Sequence, residues 1–172
     1  MPHRKFKIIE LERVVVKFAG DSGDGMQLTG NQFSELSALS GENLSTLPDF
    51  PAEIRAPKGS VSGVSGFQVH IGRDNVLTPG DQVDVLVAMN PAALKANLKW
   101  IKEGGIIIID QDAFTPENIA KAEFEKDPLT DDFIILNYQI IKVPVSSLTS
   151  KVLEGFEIDR KVVDKTKNQF VA

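Results

Sequence analysis

The residues of this 172-residue chain best placed to do chemistry lie where the apolar run Val14-Val15-Val16-Lys17-Phe18-Ala19 empties into Gly20-Asp21-Ser22-Gly23-Asp24-Gly25. A strand that ends in a glycine-rich turn and then starts a helix gathers backbone N–H groups at one point, and such a point suits an anion, a phosphate above all. Gly20, Gly23 and Gly25 run in the order G-x-x-G-x-G. They therefore lack the G-x-G-x-x-G order that serves the tight turn, the close pyrophosphate approach and the helix packing of a dinucleotide site. Asp21 and Asp24 add two carboxylates where a phosphate wants neutral or positive neighbours. Two readings stand: a ligand cradle around Gly20, Ser22, Gly23 and Gly25, and a turn whose Asp side chains bond its own N–H groups. The second is the commoner use of such residues.

Gly23-Asp24-Gly25 also looks like the opening of a thiamine diphosphate motif, in which the Asp holds magnesium and an Asn further on completes the site. No Asn stands at the corresponding place, Phe50 to Glu53, so the motif is incomplete. Arg55 lies in a proline-bounded stretch with Glu53 and Lys58 nearby. Its planar fork suits a carboxylate or phosphate, and a local ion pair is an equal alternative. Ser60, Ser62 and Ser65 supply hydroxyls, but no His–Asp arrangement is in reach to activate one. His70 alternates with Phe67, Val69 and Ile71 and so faces away from them with Gln68, as a solvent-facing or locally bonded side chain. Asn90 and Asp110 each end an apolar strand, the side of an open sheet where ligands bind, though helix capping is the commoner task there. No residue is assigned to catalysis or to a metal.

These residues need elements to hold them. Val14 to Phe18 reads as a buried strand, and apolar positions 26, 28, 33, 36 and 39 give Met26 to Leu39 a helical period. Leu44 to Leu47 suits a short strand; Pro48, Pro51 and Pro57 then exclude a regular helix over 48–59 and leave an ordered loop or extended arm. Phe67 to Ile71 alternates as a half-buried strand, and Ser60 to Ile71 suits an irregular or antiparallel piece of the sheet. Val83 to Asn90 is a central strand, followed by a helix from Pro91 to about Glu103 that Gly104-Gly105 stops. Ile106 to Ile109 and Ile140 to Val145 are further strands, and Glu123 to Asp132 is a solvated connection. The expected class is α/β: a mostly parallel, open, Rossmann-like sheet with helices on both faces, in a single domain over 13–172 after an N-terminal extension over 1–12.

Composition narrows the partners. Asp plus Glu outnumber Lys plus Arg by 24 to 19, and the net charge of -5 argues against binding a nucleic-acid backbone. With no cysteine, the chain itself can supply no disulfide, zinc–thiolate site or cysteine-ligated iron–sulfur cluster. No apolar run approaches the roughly 20 residues of a membrane span, and Met1 to Glu12 lacks a signal-peptide core, so a cytoplasmic setting is expected. Asp159 suits the cap of a final helix, yet Val162, Val163, Phe170 and Val171 do not complete an apolar stripe, as if the chain were cut short.

Taken together, Phe18 to Gly25, Asp49-Phe50-Pro51-Ala52-Glu53-Ile54-Arg55-Ala56-Pro57, Gly63 to Gln68 and Val85 to Asn90 resemble the gamma domain of 2-oxoacid:ferredoxin oxidoreductases, most closely that at the start of the fused alpha subunit of the 2-oxoglutarate type. The resemblance covers nearly the whole chain. It implies a part in the oxidative decarboxylation of a 2-oxoacid to its acyl-CoA, with electrons passing through iron–sulfur clusters to ferredoxin. Thiamine diphosphate, magnesium and the clusters are implied to lie on other domains or subunits, and coenzyme A at this domain's edge. The implied partners are the remainder of the alpha subunit, the beta subunit and, indirectly, ferredoxin. Gly20, Gly23 and Gly25 match the family's glycine loop, whereas Ser22 replaces a common Gly and Asp21 and Asp24 replace more neutral or basic residues. Arg55 matches the arginine of the second loop. Asp164 to Phe170 looks like the start of a helix that normally continues.

The expectation is a domain silent by itself, with Gly20, Ser22, Gly23, Gly25, Arg55, Ser60 and Asn90 along the cofactor-binding edge of a shared site. A Rossmann-type nucleotide-binding enzyme and a pure assembly module without a ligand are the alternatives.

Overall fold

In the computed structural model, which describes residues 10–53, 55–154 and 166, the apolar run at the start of the chain becomes the centre of a six-stranded sheet. The strands are β1 (Arg13–Asp21), β2 (Asn43–Asp49), β3 (Val64–Gly72), β4 (Val83–Ala88), β5 (Ile101–Asp110) and β6 (Gln139–Val143), in the order β2-β3-β1-β4-β5-β6. β1, β4, β5 and β6 pair in parallel, while β3 runs antiparallel to both β1 and β2. The sheet is therefore mixed, with one strand reversed. The helices are α1 (Met26–Leu39), α2 (Pro91–Asn97), α3 (Pro116–Lys121), α4 (Asp132–Asn137) and α5 (Val145–Val152).

Period-two alternation divides the apolar residues between two cores. Val15, Ala19, Leu86, Ala88, Ile107 and Ile109 pack with Ala93 and Leu94 of α2 and Ile134 of α4. Val16, Phe18, Val87 and Met89 pack on the other face with Met26 of α1 and Val145 of α5. Helices thus cover both faces. A fully buried Leu, Ile or Phe contributes roughly 1.5–3 kcal/mol, which favours apolar side chains along the central strands.

Several boundaries moved. The helix expected over 91–103 stops at Asn97; a 3-10 turn at Leu98–Trp100 follows, and β5 already begins at Ile101. Gly104-Gly105 does not stop a helix but sits in a bulge. Val83 opposes Ile101 and Val85 opposes Ile106, so two steps along β4 span five along β5. Gly104 takes φ 76°, and a Cβ on Gly105 would come within 2.8 Å of the Lys102 carbonyl oxygen. β2 extends through Pro48, because an edge strand has a side on which a missing N–H removes no ladder bond. Ser60 to Ile71 splits into a 3-10 turn at Val61–Gly63 and β3, which takes the expected antiparallel option. The last strand ends at Val143, and Val145, expected as its final residue, opens α5. Residues 1–9 of the extension expected over 1–12, the final helix from Asp159 and most of Asp164 to Phe170 lie outside the described residues.

Candidate functional site

α1 leaves β1 toward one face of the sheet and α2 leaves the neighbouring β4 toward the other. Adjacent strands whose helices diverge in this way open a crevice at their carboxyl ends. A cavity of about 350 Å³ occupies it. Its wall comprises Asp21 and Asp24 after β1, Met89-Asn90-Pro91 after β4, and Asp110, Asp112 and Ala113 after β5. Lys58 and Gly59 of the proline-bounded loop, Asn118 and Lys121 of α3, and Ser146 of α5 complete it.

The carboxylates are held by N–H and O–H donors. Asp24 Oδ2 accepts from the Asp21 N–H at 2.9 Å, and both oxygens of the buried Asp21 lie 3.1 Å from the Gly59 nitrogen. Asp110, also buried, accepts from the Ser146 hydroxyl at 2.7 Å and from the Asp112 N–H at 3.2 Å. Asp112 in turn accepts from the Ser147 N–H at 2.6 Å. Two cations stand around this acidic floor. Lys58 Nζ is 4.0 Å from Asp24, with its side chain mostly in solvent, and Lys121 Nζ is 2.8 Å from Glu117. The hydrogen bond from Lys121, followed by its charge, holds the Glu117 carboxyl below its ordinary value. Among the described residues no group of three or more His, Cys, Asp or Glu is placed to hold a metal ion.

The expected site residues divide into three groups. Asn90 lies in the cavity wall, buried, with its Oδ1 accepting from the Ala93 N–H at 2.8 Å as the cap of α2. Gly20, Ser22, Gly23 and Gly25 frame the cavity through their neighbours Asp21 and Asp24. A Cβ on Gly20 would lie 3.2 Å from the Met89 Cβ, and Gly25 takes φ 75° to start α1, whose first turn has no side-chain cap. Arg55 and Ser60 do not line the cavity. Ser60 donates to the Pro57 carbonyl at 2.6 Å, and Arg55 is exposed in a turn, with no ion pair among the described residues. The alternative of a local Arg55 ion pair with Glu53 is absent there. His70 is locally bonded, its Nδ1 2.6 Å from the Thr78 carbonyl oxygen.

Asp112, Asn118, Lys121 and Ser146 were not legible as site residues. Asp112 and Ser146 carry a weak signal, since each follows a strand end by a few residues. Asn118 and Lys121 carry none, because α3 is brought to the cavity by tertiary packing, against α2 among others.

Residues 15–166 match the family described as pyruvate ferredoxin/flavodoxin oxidoreductase. The 2-oxoglutarate oxidoreductase subunit KorA of Mycobacterium tuberculosis is 47% identical over 160 residues, which are 93% of this chain and 24% of that protein. The ketoisovalerate oxidoreductase subunit VorA of Methanothermobacter marburgensis is 32% identical over 102 residues, 59% of this chain and 20% of that protein. The chain thus matches a quarter or less of the length of these relatives. In fold it is similar to a 2-oxoglutarate:ferredoxin oxidoreductase from Magnetococcus marinus, solved with 2-oxoglutarate, coenzyme A and succinyl-CoA bound (TM-score 0.67, 24% identity, 94% of this chain and 23% of that one). It is also similar to the gamma subunit of a keto/oxoacid ferredoxin oxidoreductase from Geobacter sulfurreducens (TM-score 0.59, 19% identity, 90% of this chain and 71% of that one). With the sequence match running from β1 past α5, the chain belongs to the pyruvate ferredoxin/flavodoxin oxidoreductase family.

Proposed function

We propose that this chain is the gamma-type domain of a 2-oxoacid:ferredoxin oxidoreductase acting on 2-oxoglutarate, and that it forms part of the coenzyme A side of the site. The observation that carries the reading is the 47% identity to a subunit named for 2-oxoglutarate over nearly all of this chain. The division of labour follows from ligand chemistry. Thiolate-held clusters need cysteines, and this chain has none, so the electron carriers belong to other domains or subunits. Thiamine diphosphate, which supplies the carbanion chemistry of decarboxylation, is likewise assigned elsewhere, since Gly23-Asp24-Gly25 has no downstream Asn at Phe50 to Glu53.

The cavity suits a wall better than a phosphate cradle. Its acidic floor of Asp21, Asp24, Asp110 and Asp112 repels a phosphate, whereas Lys58 and Lys121 at its wall and Arg55 on the adjoining loop offer cations to one. Neutral hydrogen-bonding groups of a ligand would meet Asn90, Asn118 and Ser146 inside. Arg55→Ala in the assembled full-length enzyme tests this. We expect the KM for coenzyme A to rise about fivefold, the size of an exposed charge contact of ~1 kcal/mol, with kcat little changed. An unchanged KM accompanied by weakened subunit association would replace the ligand role with an assembly role.

A further inference from the structure

We infer that Lys17 and Asp21, on one face of β1, are positioning residues that clamp the two ends of the loop over 50–58 and so set the place of Lys58 and Gly59 in the cavity wall. Lys17 is the anomaly that points there. It sits in the central strand between Val15 and Ala19, on the same face, and is only 7% exposed. A lysine costs desolvation in such a place and has no packing advantage over valine. Its chain runs across β3 and ends 2.8 Å from Asp49 Oδ2, at the last residue of β2. The crossing is possible because Gly66 lies underneath, where a Cβ would stand 3.1 Å from Lys17 Cε. Four residues along the same strand, Asp21 takes the Gly59 N–H on both carboxylate oxygens.

The loop between these anchors is stiffened by Pro51 and Pro57, and Glu53 and Ala56 rest on the 3-10 turn at Val61–Gly63 that leads into β3. A Cβ on Gly63 would meet the Ala56 Cβ at 3.2 Å, and the Glu53 N–H donates to the Ser62 carbonyl. Its last residue, Lys58, and the adjoining Gly59 line the cavity. One strand therefore holds both ends of a segment that carries three exposed charged residues, Glu53, Arg55 and Lys58. Register, and not sequence distance, connects them: Ala19 opposes Gly66, which opposes Asp49. The clamp itself is independent of the ligand; its consequence for coenzyme A rests on the function proposed above.

Hydrogen exchange read by mass spectrometry on the assembled full-length enzyme tests the clamp. Lys17→Met and Asp49→Ala should each speed exchange in the peptide covering 50–59 about tenfold, while peptides from β4 and β5 keep the wild-type rate. Lys17→Arg should keep the protection. Asp49 has a half-exposed side chain, so Asp49→Ala, which removes the acceptor, remains informative if Lys17→Met fails to fold. Wild-type exchange over 50–59 in Asp49→Ala overturns the clamp. The same variant separates the two claims, because faster loop exchange with an unmoved KM for coenzyme A keeps the clamp and removes the coenzyme A reading. A raised KM with kcat held within about twofold supports both.

Discussion

Asn90 joins two tasks in one side chain. Its Oδ1 caps α2 through the Ala93 N–H, and the residue stands in the cavity wall. Asn90→Ala should cost about 1 kcal/mol in urea unfolding, the ordinary value of a lost N-cap, whereas Asn90→Asp should retain the cap. A second prediction concerns Asp131, whose carboxyl is held below its ordinary 3.8 chiefly by the side-chain hydrogen bond from Lys126, against a smaller opposing effect of burial. A carboxylate with a depressed folded value favours the fold above its unfolded value and loses that contribution as pH falls through the folded one. The loss therefore belongs below pH 3.8. Lys126→Met should move the Asp131 titration midpoint upward in an NMR pH series, and a midpoint that stays put would remove the assigned cause.

At the scale of elements, glycine sets how closely α1 approaches the sheet. A Cβ on Gly30 would lie 2.2 Å from two ring carbons of Phe67, inside any permitted contact, so the helix rests directly on that ring. Gly30→Ala should destabilise by about 1–3 kcal/mol as an overpacked core, visible as a lowered melting temperature. The proline-bounded loop was legible as an ordered non-helical segment because proline acts locally, through φ and the missing N–H. The length of α2 was not. Leu98, Trp100 and Ile101 suit a helix or a strand equally, and Ile101 is drawn into β5 by a place opposite Val83 that no local pattern records. Gly104-Gly105 was legible as a break, but a stop and a bulge carry the same residues.

In the whole molecule, two cores share one sheet, and the crevice between α1 and α2 exists only because their strands are neighbours. The proposed function predicts that the 172-residue chain alone shows no turnover with 2-oxoglutarate, coenzyme A and a dye acceptor, while the full assembly does. Activity from the chain alone would overturn the assignment of electron carriers and thiamine chemistry to other domains or subunits. Among the described residues no helix is long and apolar enough to cross a membrane.

The sequence by itself determined the strand–turn–helix at Gly20 to Gly25, the α/β class, the want of thiolate ligands, and Asn90 and Asp110 at strand ends, because periodicity, glycine and proline geometry and side-chain chemistry are local properties. Only the tertiary structure decided that β3, for which the sequence left an antiparallel option open, lies between β1 and β2, that Lys17 reaches Asp49 and Asp21 reaches Gly59, and that Asn118, Lys121 and Ser146 share a wall with Asp21. Those contacts join residues 32 to 125 positions apart. Strand order and register bring them together, and neither is written in the residues on one side of the contact.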